Sequence, residues 1–468
     1  MPDFVRNDDN IDGKNYSIPA NIANDIRVDP TMSEEAAAYL YTPYSTRSSQ
    51  GYNGLWIRDD ILQMIYPDAM SYEDCVALLE QENRPIGELL LDVPIYSSED
   101  YINLFYQIAE LNLKEGDRPV YTYGFCGADN WQPLAVLGPE LKGFRNHVYT
   151  GNWNFETQRV EILLDTDLMK ETAKLMTDMV RAGVIEEESL IHTQAQFDAK
   201  VANGLYAIIG GGYSNISNVN KGLEDAGKTY WYRPLFGDFD NMEQYAAFTE
   251  PLYARKHICI TDSVKEEDLP QILNWIDIQY TEEFKEVFHW GPEEAGLYVE
   301  NADGTRTFKD AAMQNYFLEK NSEGHDAADM KGLGNQNCTI YFAYTSVIGP
   351  NYIPRVYNNC LTYSPVATSG FKFSVTSEYV KNLKAAPNSL GWSAQYADIP
   401  EVITFWETRT QWEDPFKLVY ATKTDAEFEE KWQAAVDNFH SLVDVEAMEE
   451  KMTEIAREEC KVLGIEIK

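Results

Sequence analysis

The residues most suited to binding chemistry stand around one tryptophan, in the stretch Ala128-Asp129-Asn130-Trp131-Gln132-Pro133. An indole ring can cover the apolar C–H face of a sugar, while a carboxylate and an amide beside it bind the hydroxyl groups. The competing interpretation is that the ring fills the core, as most aromatic side chains do. The position of Asp129 and Asn130 directly before Trp131 favours a saccharide-binding surface.

Two further tryptophans and one tyrosine lie in comparable settings. Trp290 stands two residues before Pro292-Glu293-Glu294, and Trp392 follows Leu390-Gly391; for each, packing in the core is the alternative to binding. Tyr213 follows Gly210-Gly211-Gly212, and three glycines let a ligand or a neighbouring backbone approach closely. No Lys-Ser/Thr pair and no GxGxxG spacing accompany these glycines, so a phosphate-binding loop is not expected.

The sequence lacks the common signatures of catalysis and metal binding. The six histidines show no HExxH or paired spacing, and there is no GxSxG motif, so no catalytic residue, metal ligand or cofactor is expected. Residues 8–13 supply half of a calcium loop, but Pro19 stands where a bidentate Glu is needed, which favours a plain turn. The many carboxylates leave a glycosidase-type acid pair open, because sequence does not reveal their separation.

The composition sets limits on partners and on domain number. The net charge of -38 is spread along the whole chain and repels phosphate backbones, so nucleic acid is not expected as a partner. No apolar run is long enough to cross a bilayer. A chain of 468 residues exceeds what one hydrophobic core usually supports, so at least two domains are expected. The six cysteines lack CxxC or zinc spacing, which indicates buried thiols and leaves a disulfide open.

The elements that must position these residues alternate between strands and helices. Ser71 with Asp74, and Ser97 with Asp100, have the form of capping boxes that open helices. Asp303-Gly304 predicts a hairpin turn. Apolar periodicity predicts helices over 165–183 and 267–280, and two more between 424 and 464. Apolar runs predict strands at 120–125, 205–209 and 257–260, and the alternation indicates α/β layers.

Several short phrases follow one another in a fixed order between residue 12 and about residue 300. They are Asp12-Gly13-Lys14 to Pro19, Gly54-Leu55-Trp56-Ile57-Arg58-Asp59, and the stretches 179–185, 197–207, 274–283 and 291–298. Their order and number resemble the extracellular solute-binding proteins of family 1, the capture subunits of sugar ABC importers. The nearest resemblance is to the large lipoprotein-type members of Gram-positive bacteria.

This resemblance implies an α/β fold of the type II periplasmic-binding-protein class, with a ligand cleft between two lobes. The implied boundaries are 1–118 plus 255–335 for lobe 1, which would be N-terminally incomplete, 119–254 plus 336–423 for lobe 2, and 424–468 for C-terminal helices. Closure would bring Trp131 and Tyr213 of one lobe toward Asn53 of the other. The expected ligand-binding residues are Asn53, Asp129, Asn130, Trp131, Tyr213, Trp290, Glu293 and Trp392.

The implied function is extracellular capture of a carbohydrate, expected to be an oligosaccharide, by a monomeric lipoprotein that delivers it to a membrane ABC permease. Two alternatives stay open: a binding protein for a peptide or other polar solute, and a carbohydrate-active enzyme such as a glycosidase or lyase. Family members begin with a secretion signal, a lipid-anchored Cys and the first strands of lobe 1. Here the Asp12-Gly13-Lys14 turn comes so early that we expect those parts to be missing, whether through a fragment, a gene-start artefact or a separate chain. The stretch 116–118 lacks the calcium loop of many relatives, and no metal site is carried over.

Overall fold

The structure is a computed structural model. It describes residues 10–11, 14–15, 18–22, 55–82, 86–128, 137, 141, 150–210, 216–238, 246–248, 254–258, 260–278, 281, 283, 292–302, 306–309, 371, 384–387 and 396–463. The chain divides into two compact units, of which unit 1 comprises 1–42 and 250–367, and unit 2 comprises 43–249 and 368–468. These units divide the chain at other positions than the lobes implied by the resemblance, whose boundaries stay a prediction.

The described strands and helices alternate along much of the chain. The strands are β1 (Asn10–Ile11), β2 (Lys14–Asn15), β3 (Ile18–Ile22), β4 (Leu55–Arg58), β5 (Lys114–Glu115), β6 (Arg118–Pro119), β7 (Tyr121–Tyr123), β8 (Asn152–Asn154), β9 (Arg159–Glu161), β10 (Tyr206–Gly210), β11 (Tyr232–Leu235), β12 (Ala246–Phe248), β13 (Ala254–Ile258), β14 (Tyr298–Glu300), β15 (Arg306–Phe308) and β16 (Lys384–Ala386). The α-helices are α1 (Asp59–Ile65), α2 (Tyr72–Glu82), α3 (Ser98–Glu110), α4 (Asp167–Arg181), α5 (Gln194–Ala202), α6 (Ile216–Asp225), α7 (Leu269–Ile278), α8 (Pro400–Glu407), α9 (Arg409–Val419), α10 (Asp425–Leu442) and α11 (Val445–Leu463).

Unit 2 is built on a mixed sheet with the strand order β11-β4-β10-β7. β10 is parallel to β7, whereas β4 runs antiparallel to both β10 and β11. Ile185 adds a parallel bridge to Tyr123 on the outer side of β7. All four residues of β4 are buried, so this central strand is a continuous apolar run that ends in one charged residue, Arg58.

A buried ion pair ties β11 to the loop before α3. Arg233 is fully buried, and its Nη1 and Nη2 atoms each lie 2.7 Å from an oxygen of the Asp92 carboxylate. The same guanidinium donates from Nε to the carbonyl of Pro234 at 2.9 Å and from Nη1 to the carbonyl of Met70 at 3.0 Å. This bidentate geometry compensates the charge that burial takes out of water.

The helix signals in the sequence are confirmed where the structure describes them. The Ser97 hydroxyl accepts a hydrogen bond from Asp100 N at 3.1 Å and donates to the Asp100 carboxylate at 2.9 Å. Ser71 and Asp74 make the matching pair of contacts at the start of α2. The helix predicted over 165–183 is α4, which ends just before Gly183, whose φ of +73° terminates it. The two predicted C-terminal helices are α10 and α11.

The C-terminal helices of unit 2 enclose an aromatic core. Trp412 of α9 is fully buried, donates from its indole N–H to the carbonyl of Phe405 at 2.8 Å, and packs against the Phe405 ring at 4.6 Å between centroids. Phe439 of α10 meets both rings edge-on. These contacts explain why α8, α9 and α10 pack together, because each buried aromatic ring removes a large apolar area from water.

Helix α11 also binds the outer edge of the β8–β9 hairpin through side chains. The Thr453 hydroxyl accepts from Val160 N at 2.9 Å, the Glu449 carboxylate accepts from Ile162 N at 2.7 Å, and Arg457 donates to the carbonyl of Gln158 at 3.2 Å. The three contacts run along one face of the helix and one edge of the hairpin. They provide partners for backbone groups that an edge strand would otherwise leave open.

Unit 1 contains short antiparallel pairs. β1 pairs with β2 so that Ile11 stands opposite Lys14, and the turn predicted at Asp12-Gly13 lies outside the described residues. β14 pairs antiparallel with β15, with Glu300 opposite Arg306, and the hairpin turn predicted at Asp303-Gly304 lies outside the described residues. β3 pairs with β13, and α7 follows β13. Across both units, no helix within the described ranges is both long and apolar enough to cross a membrane.

Candidate functional site

The candidate site is the edge of the unit 2 sheet at which its parallel strands end. Gly210, the last residue of β10, and Leu235, the last residue of β11, both stand opposite Leu55, the first residue of β4. Tyr123 ends β7 on the far side of β10. This edge, called the carboxyl edge below, thus combines the ends of β7, β10 and β11 with the start of β4. In open α/β sheets, ligands bind outside such an edge.

Most of the predicted site residues lie outside the described residues. These are Asn53, Asp129, Asn130, Trp131, Tyr213, Trp290 and Trp392. Glu293 is described: it begins a short 3-10 helix in unit 1, Glu293–Ala295, and is exposed to solvent. The sequence nevertheless connects several of the others to the carboxyl edge. Asn53 precedes β4 by two residues, Tyr213 follows β10 by three, and Trp131 follows β7 by eight.

Two glycines allow the close packing found beside this edge. A Cβ atom on Gly124 would lie 2.1 Å from the ring of Tyr206, and one on Gly127 would lie 2.4 Å from the carbonyl oxygen of Leu190. Both distances are too short for any side chain, so the chain after β7 can follow this course only with glycine at these positions.

The backbone is held in place up to the residue before Asp129. Gly127 N donates to the carbonyl of Ser189 at 2.8 Å, and Ala128 N donates to the carbonyl of His192 at 2.9 Å. Beside them, the Cys126 thiol donates to the Gln194 side chain at 3.2 Å. The start of the predicted binding segment is therefore fixed to the stretch between α4 and α5.

That stretch carries a compact polar cluster. Glu186 is 3% exposed and follows Ile185, the residue that bridges to β7. Its carboxylate accepts from the Lys200 ammonium at 2.5 Å on one oxygen and from the Tyr206 hydroxyl at 2.5 Å on the other. Burial, together with the hydrogen bond to Glu186, raises the pKa of Tyr206 far above its ordinary value of 10. The phenol therefore stays protonated and serves as a permanent donor to the buried carboxylate.

His192 is the second buried member of this cluster. Its ring nitrogens lie 3.8 Å from carboxylate oxygens of Glu186 and Glu188. Burial, and then the positive charge of Lys200, lower the pKa of His192 below 6.5, against the opposing effect of the two carboxylates. The imidazole is accordingly neutral at physiological pH.

The same cluster has the composition of a metal site. One ligand atom from each of Glu186, Glu188 and His192 lies within 4.8 Å of the others. Lys200 already contacts both carboxylates, at 2.5 Å and 3.4 Å, and a cation would have to displace its ammonium group. The arrangement therefore suits a structural ion-pair cluster that supports the carboxyl edge. Sequence reasoning missed it because Glu186, Glu188 and His192 lie in and beside a short 3-10 helix, Glu187–Ile191, and not on a regular strand or α-helix whose period would group them.

Comparisons with known proteins agree with this architecture. No protein-family profile and no curated protein matches the sequence. Among solved structures, an extracellular solute-binding protein from Bifidobacterium longum subsp. infantis is 11% identical, with a TM-score of 0.54 over 95% of this chain and 86% of that one. The S. pneumoniae ABC-transporter substrate binding protein FusA, an EF-hand mutant in complex with fructo-nystose, is 13% identical, with a TM-score of 0.52 over 95% and 84%.

A third neighbour is described as an HMO binding, ABC-transporter associated solute binding protein from Bifidobacterium longum infantis, with 13% identity and a TM-score of 0.50 over 93% of this chain and 84% of that one. Together these structures show the fold class: the chain has the periplasmic-binding-protein-like α/β fold that these ABC-transporter substrate-binding proteins share. The fold class expected from the sequence is confirmed. Membership of family 1 within that class stays a prediction.

Proposed function

We propose that the protein is the substrate-binding component of an ABC importer and that it captures a carbohydrate, with an oligosaccharide as the expected ligand. The observation that carries the proposal is the carboxyl edge. Segments bearing Asn53, Tyr213 and Asp129-Asn130-Trp131 all connect to this one edge within eight residues of a strand. Aromatic rings with amide and carboxylate neighbours at the ligand-binding edge of an α/β sheet are suited to sugar recognition.

The names of the structural neighbours support the same ligand class. FusA was solved with fructo-nystose and with kestose, and one Bifidobacterium neighbour is described as HMO binding. On this proposal the ligand is bound and released unchanged. The proposal includes an extracellular location, a lipid anchor, a monomeric state and a membrane permease as partner. It also includes ligand binding between two lobes, with Trp290, Glu293 and Trp392 as further contributors.

A thermal-shift screen followed by titration calorimetry tests the proposal. The ligands are fructo-, malto- and galacto-oligosaccharides, with short peptides as the competing class. A ligand at a hundred times its dissociation constant stabilises the native state by about 2.7 kcal/mol, which raises the melting temperature measurably. Chromatography of the sugar after incubation separates a carrier from a glycosidase or lyase, because a carrier returns the sugar intact.

Variants connect the binding to the predicted residues. We expect Trp131→Ala and Tyr213→Ala to weaken saccharide binding about tenfold or more, because buried aromatic contacts dominate such interfaces. Leu418→Ala is the matched control, since Leu418 is 57% exposed on α9 and lies on no segment of the carboxyl edge. A response to peptides without any response to saccharides, or the appearance of cleaved sugar, would refute the proposal.

A further inference from the structure

One tyrosine near the carboxyl edge has a fixed backbone and an exposed ring. Tyr96 is 54% exposed, whereas the preceding residue, Ile95, is fully buried. Tyr96 N donates to the Asp100 carboxylate at 3.0 Å, and Ile95 N donates to the carbonyl of Val93 at 2.8 Å. The backbone is therefore held by hydrogen bonds at Ile95 and at Tyr96, whereas the Tyr96 side chain contributes little to the core.

Contacts with the end of β11 place this tyrosine at the carboxyl edge. Asp238 N donates to the carbonyl of Ile95 at 2.8 Å, and Asp238 stands three residues beyond Leu235, the last residue of β11. The Tyr101 hydroxyl donates to the carbonyl of Leu235 itself at 3.4 Å. The loop that carries Tyr96 is thus fastened to the chain just where β11 leaves the sheet.

Packing at the start of α3 does not explain why an aromatic side chain stands at position 96. Tyr96 directly precedes Ser97, the N-cap of α3, and an apolar residue at this position commonly packs against the fourth residue of the helix. That fourth residue, Tyr101, is fully buried, yet more than half of Tyr96 remains exposed to solvent. A tyrosine side chain has few rotatable bonds, so an exposed one on a fixed backbone loses little conformational entropy when a ligand covers it.

We propose that Tyr96 is a stacking platform for one sugar ring at the β11 end of the site, and that the site selects extended saccharides. This inference rests on the proposed function. In the sheet, β10 and β4 lie between β7 and β11, and the chain just after β11 contacts the loop that carries Tyr96. At about 4.8 Å between strands, the two ends lie about 14 Å apart, which is more than a single hexose spans. A ligand that extends along the carboxyl edge from the end of β7 to the loop of Tyr96 must contain several sugar units.

The test is calorimetric titration with a homologous series from disaccharide to pentasaccharide, taken from the fructo-, malto- or galacto-oligosaccharide set that the wild-type protein binds. We expect Tyr96→Ala to weaken binding of the longest member about 3- to 10-fold, as loss of one aromatic stacking contact does, and to leave the shortest member unchanged. Tyr96→Phe and Tyr96→Trp keep a ring and should keep the affinity. Leu418→Ala again serves as the exposed control.

The outcomes separate the two proposals. If the wild-type protein binds saccharides but Tyr96→Ala binds every length as the wild type does, the stacking assignment is refuted and the proposed function stands. An equal loss for all lengths also refutes it, because a general disturbance acts in that way. Absence of saccharide binding by the wild-type protein refutes both.

Discussion

Replacing Glu449 with glutamine should change how stability depends on pH. Glu449 lies on α11, is half-buried, and accepts a hydrogen bond from Ile162 N at 2.7 Å. Burial above all, together with the nearby Asp165 and Glu161, raises the pKa of its carboxyl from 4.5 to about 7, against the opposing effects of the hydrogen bond from Ile162 N and the charge of Arg159. The folded state therefore binds a proton at Glu449 more tightly than the unfolded state does.

The sign and size of the effect follow from this difference. The stabilising contribution of the protonated carboxyl is fully present below pH 4.5 and is lost as the pH rises toward about 7. The difference between the two pKa values corresponds to at most about 3 kcal/mol in the free energy of unfolding. Solvent screening of a half-buried group reduces this to about 1–2 kcal/mol. Glutamine is neutral at every pH and keeps an oxygen that accepts from Ile162 N. Glu449→Gln should thus have a higher free energy of unfolding than the wild type at pH 8. Near pH 4.5 the two free energies of unfolding should be equal.

Urea unfolding at pH 4.5, 5.5, 6.5 and 8 measures the difference directly. Glu446→Gln removes the same formal charge at an exposed position of the same helix, and so controls for the change in net charge. A difference between Glu449→Gln and the wild type that stays constant across this range would refute the reasoning. So would a variant that is less stable than the wild type at pH 8.

Two further variants test buried polar contacts. Asp92→Ala leaves the fully buried Arg233 without its carboxylate partner, and the free energy of unfolding in urea should fall by about 3–5 kcal/mol, whereas the double variant with Arg233→Met should lose less. Tyr206→Phe removes the hydroxyl donor to the buried Glu186 carboxylate and should lower stability by about 1–3 kcal/mol in thermal unfolding. Tyr121→Phe, at a half-buried position of the same sheet, is its control, and equal melting temperatures for the two would contradict the role given to the Tyr206 hydroxyl.

The features that sequence predicted well are those encoded within a few residues. The capping boxes at Ser71 and Ser97 are confirmed because donor, acceptor and spacing are all local. The amphipathic period over 165–183 gives α4 for a similar reason: the apolar face repeats within the helix itself. The α/β fold class followed from the alternation of such elements together with the family resemblance.

Features that depend on distant residues were not predictable in the same way. Glu186, Lys200 and Tyr206 meet only because β10 and the bridge at Ile185 lie on either side of β7. Likewise Asp92 and Arg233 are 141 residues apart in sequence. Strand order and register decide these contacts, and no local pattern carries that information. Of the predicted binding residues, Glu293 is exposed in unit 1, and the role of each of the eight stays a prediction.

The contacts between α11 and β9 reflect a near-coincidence of two spacings. Four residues of helix advance about 6.0 Å, and two residues of strand advance about 6.6–6.8 Å. Helix positions 449, 453 and 457 therefore stay aligned with hairpin positions 162, 160 and 158. The helix thereby takes the place of a missing neighbouring strand, and no foreign strand can add to that side of the hairpin. The commensurate spacing also makes the contact sensitive to length. Deleting one residue between Glu449 and Arg457 would turn the later partner by about 100° around the helix axis and leave the hairpin edge open to self-association.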